Sequence, residues 1–187
     1  MRLKPSSYLI LGMLRSGVDT GYAIKRAVDQ STRFFWAASF AQVYPELSNL
    51  QRHGYIVGQQ QPRGDRPRTI YRLTRKGAKA LKDWLSSERA PSFEFRDEGL
   101  LRLFFADGLT EREAAELASR LRRHAEELNS RFREEILPIA ESSSQEEGLR
   151  FPFVAARLGA DYYQWRMRWL ARLEAELAER TGRPRES

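Results

Sequence analysis

Four polar side chains between positions 42 and 52 recur at spacings that would place them on one face of a helix. They are Gln42, Ser48, Asn49 and Arg52, and Ser39 stands just before them. A glutamine carboxamide can bond adenine at two points, serine and asparagine make shorter contacts to base edges, and a terminal arginine suits a phosphate. This pattern is typical of a helix that enters the major groove of DNA.

A cluster of arginines follows about ten residues later. Arg63, Arg66 and Arg68 are interspersed with prolines and a glycine, and strand-like runs at 55–60 and 69–73 flank them. These residues predict a β-hairpin with a basic tip. Guanidinium groups at such a tip bind phosphates or enter a narrow minor groove.

The helix that must position the polar face is predicted from Ser39 to Gly54. Ser39 and Gln42 form an S-x-x-Q capping box, and glycine is a good helix stop. Its apolar stripe consists of Phe40, Val43, Leu47 and Leu50. Pro45 predicts either a bend or a later start of the regular helix. A helix followed by a basic hairpin is the layout of a winged helix-turn-helix.

Two helices are predicted ahead of this one, at about 6–15 and 20–30, with Thr20 capping the second. The aromatic stretch 31–39 is interpreted as a turn, and Phe34, Phe35 and Trp36 are expected to pack into the core or against a second domain. After the hairpin, Thr74 is expected to cap a helix that ends near residue 85.

The remainder of the chain predicts a helical domain. Residues 86–95 resemble a linker, a T-x-x-E capping box at 110–113 opens a long helix that Pro138 is expected to end, and 141–148 is predicted to be a polar loop. A last helix is predicted from about 153 to 180, stopped by Gly182 and Pro184. The expected fold class is mainly α with a small β-wing. A winged helix-turn-helix domain at 1–88 is followed by a C-terminal α-helical dimerisation domain at 89–187.

The last helix carries an apolar stripe with nearly heptad spacing. Its members are Leu158, Tyr162, Trp165, Trp169 and Leu173. A small helical domain cannot easily bury this much aromatic surface alone, so the stripe predicts a homodimer interface. Two alternatives are an aromatic effector pocket on the same stripe and plain helix packing within the domain.

The net charge is strongly divided along the chain. Of the total of +7, residues 1–90 hold 16 Lys and Arg against 6 Asp and Glu, or +10, and the rest holds 16 against 19, or −3. A basic domain beside a mildly acidic one indicates that the first meets a polyanion such as double-stranded DNA. The absence of cysteine fits a reducing cytoplasm, and no apolar run is long enough to span a membrane.

Enzymatic chemistry has little support in the sequence. The two histidines, His53 and His124, have no partner at catalytic or ligand spacing, and no phosphate-binding glycine loop, nucleophile motif or metal cluster is visible. We therefore expect no enzyme, no catalytic residues, no cofactor and no metal. A winged helix used only for protein interaction is the alternative, and the arginine-rich tip argues against it.

Three segments together resemble the PadR family of bacterial transcriptional regulators: GYAI at 21–24, VYPELSNLQRHGYI at 43–56 and RTIYRLTRKG at 68–77. The C-terminal helices are similar to those of virulence-activator proteins. The resemblance implies a repressor that dimerises through its C-terminal helices. Because two paired reading helices meet two half-sites, we expect a roughly palindromic operator. It also implies that Tyr44, Arg66 and Arg68 contact DNA. Some members of the family sense phenolic acids or drugs, so a small aromatic effector is a further implication.

Overall fold

The computed structural model describes residues 3–62, 68–91, 93, 95–146, 148 and 150–181. Arg63 and Arg66, and the expected stop at Gly182 and Pro184, lie outside the described residues. The chain divides into two compact units, residues 1–91 and residues 92–187.

The first unit combines four helices with one hairpin. Its elements are α1 (Pro5–Arg15), α2 (Gly21–Gln30), a short 3-10 turn (Thr32–Phe34), α3 (Phe40–Arg52), β1 (Ile56–Gln61), β2 (Arg68–Leu73) and α4 (Arg75–Leu85). The two strands pair antiparallel, from Ile56 opposite Leu73 to Gln61 opposite Arg68. The predicted order of three helices, a hairpin and a further helix is confirmed.

Helix α3 buries one face in the core of this unit. Val43, Leu47 and Leu50 are buried together with apolar residues of α1 and α2. Their spacing of four and three residues keeps them on one side, so the opposite side of α3 is left to solvent. Phe40, predicted as a member of this stripe, is instead exposed. Because the helix turns by about 100° per residue, Phe40 lies at the edge of the stripe, on the side where Tyr44 lies.

In the first unit, the predicted helix caps at Thr20 and Thr74 and the predicted helix stop at Gly54 are confirmed. The Thr20 hydroxyl accepts the Ala23 N–H at 3.1 Å, and the Thr74 hydroxyl accepts the Gly77 N–H at 3.1 Å. Gly54 follows α3 with a φ of +71°, a conformation that favours glycine. Helix α3 runs through Pro45 and begins directly after Ser39, so the later start that Pro45 allowed is not found.

The aromatic turn differs from the prediction. Phe35 and Trp36 are exposed and do not enter the core. The 3-10 turn accounts for this, because the Trp36 N–H donates to the Thr32 carbonyl at 2.6 Å and keeps the chain close to the end of α2. The small side chain of Ala38 is the one from this stretch that becomes buried.

A buried hydroxyl joins α1 to the middle of α3. Ser7 is fully buried, accepts the Lys4 N–H at 3.0 Å and donates to the Glu46 carboxylate. A hydrogen bond to a charged acceptor is among the stronger ones in a protein. It therefore fixes the orientation of α3 on the unit that carries it.

The second unit is helical throughout its described elements. These are α5 (Glu98–Phe104), a short 3-10 turn (Ala106–Gly108), α6 (Glu111–Arg131), a π-helical turn (Phe132–Ile136), α7 (Leu137–Glu146) and α8 (Arg150–Thr181). Helices α6 and α8 run antiparallel, as the Arg122–Glu174 and Arg133–Gln164 contacts show. The Phe132 ring packs on Gly159, where a Cβ would lie 2.4 Å from Cε1 of the ring.

Helix α5 is held to α8 by an ion pair. The Asp97 carboxylate caps α5 by accepting the Leu100 N–H at 3.0 Å, and it also pairs with the Arg166 guanidinium. Both side chains are mostly buried, and the bond from Arg166 holds the pKa of the Asp97 carboxyl below its usual value.

Two predictions for this unit are wrong. Pro138 does not end the helix that begins after Thr110, and residues 141–146, predicted to be loop, belong to α7. The π-helical turn before Pro138 is the physical reason. Its i→i+5 bonding widens the helix where a proline ring would otherwise meet the carbonyl four residues earlier.

Candidate DNA-binding surface

The exposed side of α3 gathers most of the side chains predicted to read bases. Gln42, Ser48 and Arg52 are exposed and Asn49 is half-buried. The Ser48 hydroxyl donates to the Tyr44 carbonyl at 3.2 Å, so its proton is engaged within the helix while its lone pairs face outward. These residues form a continuous polar surface over three turns of the helix.

Ser39 and Gln42 are engaged with each other at the start of α3. The Gln42 carboxamide oxygen accepts the Ser39 N–H at 2.9 Å and lies 3.3 Å from the Ser39 hydroxyl. The predicted capping box is therefore confirmed. A two-point bond to adenine needs the same oxygen as an acceptor, so Gln42 must turn away from Ser39 to make it.

Tyr44 is seated on a glycine of the preceding helix. A Cβ at Gly21 would lie 2.7 Å from Cε1 and 3.0 Å from Cζ of the Tyr44 ring. Any larger residue at position 21 would push the ring outward. The close approach links the GYAI segment to the tyrosine of α3 and explains why a glycine stands there.

Sequence analysis missed two aromatic neighbours of Tyr44. The Phe40 ring is stacked between Tyr44, at a centroid distance of 6.1 Å, and Tyr22, at 6.4 Å. We call Tyr22, Phe40 and Tyr44 the aromatic stack. The signal in the sequence was the position of Phe40 at the rim of the apolar stripe, four residues before Tyr44.

Of the three hairpin arginines predicted to contact DNA, Arg68 lies within the described residues. Arg68 is exposed, begins β2 and has its guanidinium 3.5 Å from the Gln61 carboxamide oxygen. Tyr71 packs against the core, and its N–H donates to the Asp19 carbonyl at 2.7 Å. Lys76, which sequence analysis did not single out, donates to the His53 carbonyl at 2.8 Å and so supports the end of α3.

The predicted interface stripe lies along α8, in the second unit. Leu158 is 71% exposed, Trp165 is 56% exposed and Trp169 is also exposed, whereas Tyr162 and Leu173 are half-buried. The buried positions of α8 include Ala156, Ala160 and Leu170, none of which belongs to the stripe. Tyr162 contacts Phe95 and Arg166 within the unit, whereas Leu158, Trp165 and Trp169 remain exposed there.

The fold and this surface define the class of the protein. A core-packed third helix with a polar outer face, followed by a two-stranded wing, is a winged helix-turn-helix. Residues 10–83 match the family model "Transcriptional regulator PadR-like family", and residues 95–178 match the model "Virulence activator alpha C-term". These matches confirm the expected fold class and the resemblance to the PadR family, whose members are transcriptional regulators and not enzymes.

Individual relatives agree with these matches. The chain is 34% identical to the negative transcriptional regulator PadR of Bacillus subtilis (strain 168) over 111 residues, which is 59% of this chain and 61% of that relative. The crystal structure of Bacillus subtilis PadR in complex with operator DNA has a TM-score of 0.86 at 25% identity, covering 95% of this chain and 99% of that one. The structure of the same regulator in complex with p-coumaric acid has a TM-score of 0.76 at 25% identity, covering 92% and 98%.

The described residues contain neither a membrane-spanning helix nor a metal-binding cluster. Among the helices in the described ranges, none combines the length and apolarity required to cross a bilayer. Within the same ranges, no group of three or more histidines and acidic residues is arranged to hold a metal ion.

Proposed function

We propose that this protein is a cytoplasmic, sequence-specific transcriptional repressor that binds a roughly palindromic operator as a homodimer. The observation that carries the proposal is the polar outer face of α3 beside a basic wing, in the half of the chain whose net charge is +10. The operator complex of Bacillus subtilis PadR, whose fold this chain shares along most of its length, supports the same conclusion.

The two parts of the chain have different roles in this proposal. Residues 1–88 read DNA, and residues 89–187 pair two copies so that two α3 helices meet two half-sites about 34 Å apart. The exposed stripe of α8, with Leu158, Trp165 and Trp169, supports the pairing role. An unpaired copy would leave this apolar surface in water.

Within the reading domain, base contacts and phosphate contacts are assigned to different residues. Gln42, Ser48 and Asn49 contact base edges, and Ser39 lies beside them at the start of α3. Arg52 and Arg68 contact phosphates, together with Tyr44. Arg63 and Arg66 have the same role by their position in the sequence of the wing tip.

Release from the operator is assigned to a small aromatic effector. The support is the complex of Bacillus subtilis PadR with p-coumaric acid and the aromatic residues exposed in the second unit. A winged helix that binds only other proteins remains the competing function. The basic charge of the reading domain disfavours it, because such a module has no need of a surface for polyanions.

An electrophoretic mobility shift with the promoter of the protein's own operon tests the proposal. We expect a retarded band that competes poorly with unrelated DNA and whose affinity falls steeply as salt rises, because bound arginines and lysines displace counterions. Retardation by any DNA with equal affinity, or none at moderate salt, would contradict a sequence-specific regulator.

Gln42→Ala is expected to relax base preference at one position of each half-site. The loss of a two-point contact to adenine removes about 1–3 kcal/mol of discrimination there. Selection of bound DNA from a random pool, carried out with the wild type and the variant, measures this change. Gln51→Ala is the matched control, since Gln51 is also exposed on α3 but lies two and a half turns further along. Unchanged preference in the Gln42 variant would show that α3 is oriented differently in the groove.

A further inference from the structure

The aromatic stack is an exposed apolar patch beside the polar face of α3. Tyr22 is 60% exposed, Phe40 45% and Tyr44 46%, although buried positions are available to apolar residues elsewhere on the same helices. The neighbouring planes are inclined by only 19° and 22°, so the three rings form one continuous wall. Leaving such a wall in water is unfavourable unless a ligand covers it.

The stack is held rigidly in this exposed position. Gly21 admits the Tyr44 ring on one side, and the Lys25 ammonium lies 5.3 Å from the centroid of Phe40 on another. Lys25 is itself mostly buried and ion-paired with Asp29. A ring restrained on several sides makes a fixed contact surface and loses little entropy on binding.

The location of the stack identifies what could cover it. Phe40 is the first residue of α3, Tyr44 follows it one turn later on the same side, and Ser48 follows Tyr44 after one more turn. The stack therefore adjoins the Ser48 side of the surface that faces bases in the proposed function. Phe40 has no polar atom and gains nothing from a phosphate. In the major groove, the apolar group that base edges offer is the C5-methyl of thymine.

We propose that Phe40, held between Tyr22 and Tyr44, is a specificity-determining residue that packs against the C5-methyl group of one thymine in each half-site. The inference rests on the proposed function, since it names a base that the same surface reads. Tyr22 and Lys25 act as positioning residues for Phe40. The hydroxyls of the two tyrosines remain at the ends of the stack, where phosphate oxygens can accept from them.

Replacement of thymine by deoxyuridine tests this contact, because the two bases pair identically and differ only in the methyl group. An operator selected with the wild-type protein is synthesised with each thymine in turn exchanged for deoxyuridine. We expect one position per half-site at which wild-type affinity falls roughly fourfold, the effect of losing one buried methyl group. The Phe40→Ala variant should bind the thymine operator about fourfold more weakly per half-site and show no further loss on deoxyuridine.

Matched variants separate this role from a structural one. Phe35→Ala removes another exposed phenylalanine of the same unit and should retain full sensitivity to deoxyuridine. Phe40→Leu keeps an apolar side chain and should retain part of that sensitivity. Thermal melting of each variant verifies folding, and the deoxyuridine scan of the wild type needs no variant at all.

The possible results separate this inference from the proposed function. If no thymine is sensitive in the wild type, or if Phe40→Ala leaves the sensitivity intact, the thymine contact is overturned while sequence-specific binding stands. Unchanged DNA affinity in Phe40→Ala also overturns it. If the wild type selects no sequence from the random pool, the proposed function and this inference fail together.

Discussion

Glutamate in place of Trp165 is expected to convert the protein to monomers and to lower its affinity for a two-half-site operator at least about 100-fold. Trp165 is 56% exposed at the centre of the apolar stripe of α8. A carboxylate there would have to be buried without a partner in the paired state, which is strongly unfavourable. Because two linked reading domains gain roughly 10²–10⁴ in affinity over one, loss of pairing removes that gain.

Sedimentation measures whether the Trp165→Glu variant is monomeric, and an operator-binding assay measures its loss of affinity. Ala175→Glu is the control, since it adds the same charge at an exposed position of α8 outside the stripe and should leave a dimer. The Trp165 side chain contributes little to the core of the single unit, so circular dichroism should show a folded monomer. A Trp165→Glu variant that sediments as a dimer would place the interface on another surface.

Gly77→Ala is expected to reduce the free energy of unfolding by about 3–5 kcal/mol, through overpacking and the loss of two hydrogen bonds. A Cβ at this position would lie 2.0 Å from the Tyr55 carbonyl oxygen, a backbone atom that no rotamer change can move. The same carbonyl accepts the Thr74 N–H at 3.1 Å and the Thr74 hydroxyl at 3.0 Å. Moving it therefore also breaks the bonds that hold the start of the wing to the start of α4.

Gly12→Ala, in the same unit, is expected to have the opposite effect on the free energy of unfolding. Gly12 lies inside α1, and a Cβ there meets nothing within 4 Å. Alanine should raise the free energy of unfolding by about 0.5–1 kcal/mol, because glycine loses more conformational entropy in a helix. Urea unfolding of the two variants compares them directly. Equal free energies of unfolding in the Gly77→Ala and Gly12→Ala variants would mean that the backbone around Tyr55 adjusts to the added Cβ without losing stability.

Local chemistry explains which parts of the fold were predictable. The caps at Thr20 and Thr74 and the stop at Gly54 depend on a few neighbouring residues, so their sequence signals were sufficient. The stripe of Val43 and Leu47 was equally clear, because its period persists through the helix. By the same reasoning, the polar face of α3 followed from that stripe.

The wrong predictions concern residues whose environment is set by distant parts of the chain. Pro138 continues a helix because the preceding turn is π-helical, at the point where Phe132 packs on Gly159 of another helix. Phe40 leaves the core because Tyr22, on a different helix, offers it a stacking partner. Neither contact produces a periodic signal in the sequence. The pairing of Phe40 with Tyr22 could be identified only once α2 and α3 were placed together.

The bond between Gln42 and the Ser39 amide has a kinetic implication for how such a repressor searches a genome. A protein that slides along DNA must avoid holding on to every base it passes. In the proposed function, the Gln42 carboxamide oxygen leaves the Ser39 N–H to reach a base. Among the bases in the major groove, only adenine offers a donor beside an acceptor, and so matches both ends of the carboxamide. If Gln42 reads adenine as proposed, the capping bond would be kept while the protein scans other bases and exchanged at the operator.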